Sequence, residues 1–510
     1  MNLIFIFPDI GSNNINFSPA IINLSAYVKK SLPEINISLI HINNKFGVPF
    51  DLDIISKCVF DKKPDLVGIT CTTYSYKISN DIATRLKNDG AFYPIVLGGS
   101  HATIKPDDLA ESSFDAFAIG ESECSLVDLC RRIMKNEDIT STPGFDFKSN
   151  LGIKRNPPAK IVNNLDEMPY PDYNIMDTGK MLGIRDGWMS VGFSRGCPYD
   201  CSFCINDILH KQFKQEQSGS YFRHRSSQNI ILELNFLINT YGKKIKIFKF
   251  EDDLLMLNTD WFIKLMDMYR RKIYEPYGSP YVINARANLM NEDIIRTLSD
   301  SGCYEVQIGY ETGDNNLRNK ILNKRISDDQ LLSAFSLSRQ HGLRTLAYTM
   351  LGIPGETHNS IRTTIDLLNH MKPTLIRLTI FDPFFGTYMH EYCKKKNLFK
   401  KNNIEYGDPY SGTRLIFSDL TDEDISFYHL FFGWYLNAWA EDNSSLNTVY
   451  QTAIQKFKGI DLLSINRQII FDYDKELSRN MLKLGMPHFR YFPNNMLYFE
   501  YINITQNTND

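Results

Sequence analysis

The sequence lacks a charge excess of either sign. Its 510 residues carry 56 Lys plus Arg against 59 Asp plus Glu, a formal net charge of −3. A protein whose main task is to neutralise a phosphate backbone needs a clear positive excess, so nucleic acid is not an expected partner. Charged residues at 23% and hydrophobic residues at 43% are typical of folded chains and exclude general disorder. At roughly 150 residues per domain, the length predicts about three domains.

Long apolar runs and export signals are also missing. No apolar run approaches the roughly 20 residues that span a bilayer, so no membrane span is expected. The N-terminus, MNLIFIF, has no basic n-region and no small-residue cleavage site, so we expect no signal peptide. We therefore expect a cytoplasmic, reducing location, in which the nine cysteines form no disulfide framework. Metal or redox chemistry then becomes the better explanation of any cysteine cluster.

The first 142 residues alternate short apolar runs with helical patterns. Strands are predicted at Asn2–Phe7, Ile35–His41, Asp65–Thr70, Tyr93–Leu97 and Ala116–Ile119. Helical spacing separates them, for example at Ala20–Leu32 and Ile78–Lys87. Strands that alternate with helices imply crossover connections and a parallel sheet. We predict a doubly wound, flavodoxin-like or Rossmann-type domain over 1–142, which binds ligands at the carboxyl ends of its strands.

The remaining chain divides into three segments. Residues 143–182 are rich in proline and poor in periodicity, and we predict a linker there. Residues 183–400 resume the alternation with about six strand–helix units, which predicts a partial (β/α)6 barrel. Residues 401–510 are predicted to form a mostly helical extension, in which Thr421 and Asp424 have capping-box spacing before a helix at Ile425–Ala440. Aromatic residues at near-helical spacing in that helix indicate core packing.

Three cysteines, Cys197, Cys201 and Cys204, lie within eight residues just after a predicted strand. Three soft ligands on one short loop suit either an iron–sulfur cluster or zinc. Structural zinc usually takes four ligands, and His210 is the nearest further candidate. A [4Fe–4S] cluster held by three cysteines leaves one iron open, which is a catalytic arrangement. The alternative is that the three cysteines occur in a core loop by chance. We expect the six other cysteines, which are scattered along the chain, to be buried thiols.

The spacing Cys197-x-x-x-Cys201-x-x-Cys204, with Phe203 before the last cysteine, resembles the radical S-adenosylmethionine (radical SAM) superfamily. The resemblance implies a partial α/β barrel and a [4Fe–4S] cluster. It further implies that the open iron chelates the amino and carboxylate groups of S-adenosylmethionine (SAM). One-electron reduction of the cluster would then cleave SAM to a 5′-deoxyadenosyl radical.

Further segments match that superfamily in the same order along the chain. The acidic segment Phe250–Asp253 ends the second barrel strand, where carboxylates can hold an ammonium group, although an aspartate there could instead cap the next helix. Arg286 could clamp a carboxylate, or be a surface arginine. Glu356 could equally be a first-turn helix charge. The resemblance implies SAM contacts at Glu251, Asp253, Arg286, Glu311, Gly352, Pro354, Gly355 and Glu356.

The first domain resembles the cobalamin (B12)-binding domain that precedes many radical SAM barrels. The carrying segments are Ile69–Tyr74, Leu97–Thr103 and Ile119–Glu123. Small and hydroxylated residues at strand ends would let a corrin approach the backbone. The implied cobalamin residues are Thr72, Thr73, Gly98, Gly99, His101, Gly120 and Glu121. The loop after the first strand has no histidine, so we expect no cobalt ligand from it. The alternative is a flavodoxin-like domain that binds nothing or another nucleotide, although a full G-x-G-x-x-G is missing.

The resemblance implies a cobalamin-dependent radical SAM methyltransferase. Its substrate would be a small molecule, methylated at an unactivated carbon or at phosphorus by way of the 5′-deoxyadenosyl radical and methylcobalamin. One alternative uses the same cofactors for cyclisation or rearrangement without methyl transfer. Another is a non-catalytic metal-binding scaffold. A flavodoxin or ferredoxin is the expected electron donor, by resemblance only, and the residues do not identify the substrate.

Overall fold

The computed structural model describes most of the chain. The described residues are 1–10, 15–216, 220–401, 412–441, 444–460, 462, 465–493 and 495–503. They form two compact units. The first comprises Met1–Pro198, Ile205–Asp253 and Arg271–Ser279, and the second comprises Tyr199–Cys204, Leu254–Arg270 and Pro280–Asp510.

The first unit begins with a seven-stranded sheet. Its strands are β1 (Asn2–Pro8), β2 (Asn36–Ile42), β3 (Leu66–Thr70), β4 (Ile95–Gly98), β5 (Ala116–Ala118), β6 (Phe145–Ser149) and β7 (Gly152–Lys154). The strand order is β2-β1-β3-β4-β5-β6-β7. The first five strands pair in parallel, as the alternation predicts, and β6 and β7 pair antiparallel. The predicted linker therefore contributes two strands to this sheet.

Helices cover both faces of that sheet. They are α1 (Pro19–Ser31), α2 (Leu52–Phe60), α3 (Tyr76–Asn88), α4 (Ser100–Ile104) and α5 (Glu123–Met134). Alternate residues of β1 enter different cores: Ile4 packs with residues of α2 and α3, whereas Leu3 packs with residues of α1 and α5. Because successive side chains of a strand point to opposite faces, this alternation shows a sheet with a core on each side.

The first unit continues with elements from the second half of its sequence. These are α6 (Thr178–Ile184), β8 (Trp188–Val191), β9 (Ser194–Arg195), α7 (Ile205–Glu216), β10 (Arg223–His224), α8 (Ser227–Tyr241) and β11 (Ile247–Phe250). Strand β11 pairs in parallel with β8, and β10 pairs antiparallel with β9. The β9–β10 pair holds the chain immediately before Cys197.

The second unit contains four further parallel strands with helices between them. The strands are β12 (Tyr281–Ala285), β13 (Cys303–Glu311), β14 (Arg344–Leu351) and β15 (Leu375–Ile380). The helices are α9 (Thr259–Tyr269), α10 (Glu292–Asp300), α11 (Asp328–Gln340), α12 (His358–Met371) and α13 (Tyr388–Lys395). Together with β8 and β11, these strands are the six that the sequence assigns to the barrel.

The C-terminal segment is mostly helical. Its elements are α14 (Asp422–Ala438), α15 (Ser444–Phe457), α16 (Arg467–Lys483), β16 (His488–Phe492) and β17 (Asn495–Ile502). Thr421 caps α14 with the predicted capping box, and Trp434 is fully buried and donates to Asp474 at 2.7 Å, so the aromatic stripe is core. The predicted mostly helical extension also contains two strands. Strands β16 and β17 form a hairpin, and β17 pairs antiparallel with β15.

Candidate functional site

The first unit contains a cavity of about 420 Å³. It is bounded by the ends of β3 and β4, the loop after β5, the start of α1, and the segments that follow β8 and β11. Carboxyl ends of parallel strands are the usual ligand-binding edge of doubly wound folds. The cavity therefore lies where the sequence predicts a cofactor. Six predicted cofactor residues line it: Gly98, Gly99, Gly120, Glu121, Glu251 and Asp253.

Glycines keep parts of the cavity wall flat. A Cβ on Gly98 would lie in ordinary contact with Ala118, at 3.9 Å, and a Cβ on Gly192 would have no neighbour within 4 Å in the described part of the chain. Gly99 differs, because its φ is +97° and a Cβ there would overlap the carbonyl oxygen of Cys71. The fold itself thus requires Gly99, whereas Gly98 and Gly192 leave room beside the backbone. The wall fits one side of a flat corrin, although a whole cobalamin is larger than the cavity.

Glu121 is engaged by two arginines. Arg195 donates to Glu121 at 2.6 Å and to Glu123 at 2.5 Å, and Arg223 also donates to Glu121. The side chains of Arg223 and Glu123 are 6% and 7% exposed, and those of Arg195 and Glu121 are 24% exposed. Burial raises the pKa of the Glu123 carboxyl, but Arg195, a backbone hydrogen bond and Arg223 together hold that pKa below its ordinary value. Two carboxylates and two guanidinium groups balance their charges within this four-residue network.

Two carboxylates of the acidic segment after β11 face the cavity. Glu251 accepts from the Ser190 hydroxyl at 2.7 Å and lies 3.3 Å from the Lys249 ammonium group. Asp253 accepts from Asn206 at 2.9 Å. Both carboxylates line the cavity and can receive a cationic ligand group.

Asp252 holds the backbone that leads to the cysteines. It is 5% exposed and accepts from the backbone N–H groups of Phe193 and Ser194 at 2.9 and 2.5 Å. Burial raises its pKa to about 6 against these hydrogen bonds. The alternative of a helix cap is wrong for Asp252 and Asp253, because Asn258 caps α9.

The cysteine motif follows β9. Gly196 has φ +85°, and a Cβ there would overlap the backbone of Tyr221, so only glycine fits just before Cys197. Cys197 belongs to the first unit, and Cys201 and Cys204 belong to the second.

Within the second unit, the cysteine loop is hydrogen-bonded to the segment that follows β13. Ser202 donates to the carbonyl oxygens of Leu322 at 3.0 Å and Ile321 at 2.6 Å, and Phe203 packs against a buried cluster that includes Leu317. The Cys204 N–H donates to the Cys201 carbonyl at 3.1 Å. Phe203 thus packs the loop against the core, and hydrogen bonds fix the backbone that carries Cys201 and Cys204.

All nine cysteines are described, and no disulfide joins any of them. Among the described residues no three His, Cys, Asp or Glu side chains surround a single metal ion. This arrangement gives no support to a zinc site. A cuboidal cluster carries its irons at separate corners, so its cysteines need not converge on one point. The donor set, three thiols at this spacing, fits such a cluster chemically.

Arg286 follows β12 and reaches the cysteine loop. Its side chain is 7% exposed, its Nη1 lies 3.5 Å from the Cys201 Sγ, and its Nη2 donates to the carbonyl oxygen of Lys324. The guanidinium carbon lies 3.9 Å from the ring centroid of Tyr199. The alternative of a surface arginine is therefore wrong.

Glu311 forms a buried ion pair with Lys324, whose ammonium group also lies where a Cβ on Gly309 would be. Glu311 has φ +68°, at an irregularity where the pairing register of β13 shifts against β14. A non-glycine residue in this conformation is a strained position of the kind that clusters at functional sites. The SAM contact predicted for Glu311 remains a prediction, since the described partner of its carboxylate is Lys324.

The loop after β14 is held by Glu356. Gly352 has φ +81°, Gly355 has φ +87°, and Pro354 lies between them. The Gly352 N–H donates to Glu356 Oε2 at 2.5 Å, while Glu356 Oε1 has no hydrogen-bond partner among the described residues. Burial raises the pKa of Glu356 to about 8. The first-turn alternative is wrong, because Thr357 caps α12 after Glu356.

Three predicted cobalamin residues do not line the cavity. Thr72 and Thr73 begin a short turn after β3, and Thr70 lines the cavity in their place. His101 is 1% exposed, stacks on Tyr76 with ring centroids 3.9 Å apart, and places Nε2 3.2 Å from the Asp108 carboxylate. These positions give no support to a cobalamin contact by Thr72, Thr73 or His101.

Sequence reasoning missed the partners that hold the site. Glu123 lies in the predicted cobalamin segment and Arg195 lies just before the cysteine motif, but the two residues that pair are 72 positions apart in the sequence. Arg223, Ser190 and Lys324 carry no local signal at all. Only the charge of Arg195 next to Gly196 and Cys197 could have indicated a role.

Two domain-family models match the chain. A B12 binding domain matches residues 22–129, and the radical SAM superfamily matches residues 191–368. The chain is 29% identical over 353 residues to an uncharacterized methyltransferase of Pyrococcus horikoshii, which covers 68% of this chain and 73% of that protein. It is 24% identical over 395 residues to the anaerobic magnesium-protoporphyrin IX monomethyl ester cyclase of Rubrivivax gelatinosus, covering 74% and 68%.

A solved structure shows the same fold. The cobalamin-dependent S-adenosylmethionine radical enzyme OxsB, with aqua-cobalamin and S-adenosylmethionine bound, superposes with a TM-score of 0.66 at 16% identity, over 95% of this chain and 75% of that one. The chain therefore contains a B12 binding domain followed by a radical SAM domain.

The two predicted domain families and the fold class are confirmed, and the predicted cofactors, a [4Fe–4S] cluster, SAM and cobalamin, are those of the two matched families. The matched ranges fall inside the predicted domains 1–142 and 183–400, whose boundaries stay predictions, as do the individual site residues. Among the described residues no helix is long and apolar enough to cross a bilayer.

Proposed function

We propose that this chain is a cobalamin-dependent radical SAM methyltransferase that methylates an unactivated carbon, or phosphorus, of a small molecule. The carrying observation is the glycine-walled cavity of the first unit, lined by residues of the B12-binding domain and by the segment that precedes the cysteine motif. The methyltransferase of Pyrococcus horikoshii supports methyl transfer over cyclisation. When bound, the cofactors supply a methyl carrier and a one-electron route that cleaves SAM.

The chain's own residues position and shield these groups. Cys197, Cys201 and Cys204 would hold the cluster by their thiolates. Glu251 and Asp253 offer carboxylates for a cationic amino group, and Gly352 to Glu356 form a turn in which backbone can approach a nucleoside closely. Gly98 and Gly192 leave the cavity wall open to a flat macrocycle. Exclusion of water from the cavity would protect reactive species from side reactions.

We further propose a flavodoxin- or ferredoxin-type donor and a cytoplasmic location. Both follow from the three-thiolate motif, because thiolates that bind iron persist in a reducing compartment and the cluster needs one electron per SAM cleaved. Four further residues remain predicted cofactor contacts: Glu311, Thr72, Thr73 and His101. Thr70, which lines the cavity, is a further candidate.

A cavity-filling variant tests the cobalamin site. Gly192→Leu places a side chain where no atom of the described residues lies within 4 Å of the Cβ, so the fold should tolerate it while the cavity fills. We expect cobalamin uptake, measured by visible absorbance after anaerobic incubation, to be lost while the iron content is unchanged. Gly183→Leu is the matched control, since Gly183 lies in α6, is exposed and has equally open surroundings. Full uptake by Gly192→Leu would remove the cobalamin assignment of this cavity.

A second candidate function is cyclisation or rearrangement, which the match to the Rubrivivax gelatinosus cyclase favours. Methyl-labelled SAM separates the two candidates. Label in the product supports the methyltransferase, and an altered product without label supports the second candidate. The non-catalytic scaffold has no support now that the chain contains a domain of an enzyme superfamily.

A further inference from the structure

Arg286 contacts a predicted cluster ligand directly. Its guanidinium group is buried, and three neighbours hold it in one orientation: the Cys201 Sγ at 3.5 Å, the Lys324 carbonyl oxygen, and the ring of Tyr199 beneath it at 3.9 Å. All of these residues belong to the second unit. A side chain fixed in this way presents its charge to one sulfur at a defined position.

The described contacts of Arg286 differ from those of a carboxylate clamp. A guanidinium group clamps a carboxylate through two parallel N–H···O bonds. Here Nη1 directs one N–H group to the sulfur and Nη2 directs one to the Lys324 carbonyl, and Nε has no hydrogen-bond partner among the described residues. A carboxylate would have to use the N–H groups that remain on these nitrogens.

The charge of Arg286 is not balanced by a carboxylate. Lys324, its neighbour, is paired with Glu311, so that pair is neutral. Among the described residues no ion pair joins Arg286 to an acidic side chain, and its Nη1 lies 3.5 Å from the sulfur of Cys201. Once Cys201 binds iron as a thiolate, that sulfur would be a counter-ion of this guanidinium group.

A cation at this position acts on the redox couple of a cluster. Reduction adds one electron to the oxidised cluster and breaks no bond, with the electron supplied by a low-potential donor of the flavodoxin or ferredoxin class. A fixed positive charge next to a ligand sulfur stabilises the more negative, reduced form, and hydrogen bonds to cluster sulfurs act in the same direction. The effect is strong where the charge is buried and poorly screened.

We propose that Arg286 sets the reduction potential of the cluster by donating to Cys201, instead of clamping the carboxylate of SAM. This inference rests on the proposed function, because it requires the cluster. Arg286 is a positioning and tuning residue, which acts through the sulfur that it contacts. The ring of Tyr199 packs against the guanidinium group of Arg286 in a cation–π contact.

Arg325 provides a matched control on the same loop. It is an arginine paired with Asp200, the residue before Cys201, at 2.8 Å, but its side chain is 65% exposed. Solvent screens a charge at that position, so its removal should affect the cluster little.

The test is a redox titration of the anaerobically reconstituted chain, monitored by electron paramagnetic resonance (EPR), with iron and sulfide content determined in parallel. We expect Arg286→Gln to lower the equilibrium constant for one-electron reduction about tenfold, which is a negative shift of about 59 mV. Arg286→Lys, which keeps the charge but loses the fork, should shift the potential less. Arg325→Gln should stay within about twofold of wild type.

The outcomes separate the inference from the proposed function. A wild-type chain that takes up no cluster overturns both. A wild-type potential in a fully loaded Arg286→Gln overturns the inference alone. So does a large loss of SAM affinity, measured by equilibrium dialysis, with the potential unmoved, because that pattern belongs to a carboxylate clamp. If Arg286→Gln fails to load, Arg286→Met, which also removes the charge, is titrated in its place: a loaded cluster at lower potential supports the inference, and a wild-type potential contradicts it.

Discussion

Removing the charge of Glu121 tests whether this residue holds the approach to the cysteine motif. Glu121→Gln keeps the shape and an acceptor oxygen, but it leaves Arg223 buried without its carboxylate. Loss of one partner of a fully buried ion pair costs about 3–5 kcal/mol. Since the Glu121 side chain is 24% exposed, solvent reduces the effect, and we expect about 2–3 kcal/mol. For a unit of this size that corresponds to a fall of roughly 5 °C or more in Tm.

Thermal unfolding of the anaerobic apo chain, followed by circular dichroism, measures this effect. Asp128→Asn is the control, because the Asp128–Arg132 pair lies on the surface of α5 and should contribute less than about 1 kcal/mol. Iron uptake should also fall in Glu121→Gln, since Arg195 stands just before Gly196 and Cys197. A variant that unfolds like wild type but binds cobalamin more weakly would refute this reasoning and make Glu121 a cofactor contact instead.

Two further predictions concern other positions. Gly99→Ala should destabilise the first unit by about 2 kcal/mol or more, because its φ is +97° and its Cβ would overlap Cys71, whereas Gly98→Ala should unfold like wild type; equal midpoints in urea would contradict this. Glu356→Gln should change the pH dependence of stability. Burial raises the Glu356 pKa to about 8 from 4.5, so its stabilising contribution is complete below about pH 4.5 and is lost as pH rises to about 8. The variant should match wild type near pH 4.5 and exceed it above pH 8, by at most about 5 kcal/mol, and parallel Tm profiles across this range would contradict the assignment.

The strands could be predicted where hydrophobicity is local and continuous. The predicted strands Asn2–Phe7 and Asp65–Thr70 each differ from β1 and β3 by one residue at one end, because both strands are short, mostly apolar runs. The antiparallel strands were missed. Strand β6 ends in the exposed Lys148 and Ser149, and β16 pairs only with its own hairpin partner, so neither has the pattern of a buried parallel strand.

In the candidate site, too, local features could be predicted from the sequence and long-range contacts could not. The cysteine spacing and the glycine-rich strand ends are visible in the sequence because each lies within a few residues. The contacts that fix them join distant positions, such as Arg286 and Cys201, 85 residues apart, and Arg195 and Glu121, 74 residues apart. Single-residue chemistry does not reveal such pairs, because register and topology decide which strand ends meet.

The cluster itself offers the most direct measurement. Anaerobic reconstitution of the chain with iron and sulfide, followed by EPR of the reduced protein with and without SAM, should give about four iron and four sulfide per chain and a signal that SAM changes. The same treatment of the Cys197→Ala, Cys201→Ala, Cys204→Ala triple variant should give neither. A wild-type chain that binds no cluster, or a triple variant that retains one, would contradict the account.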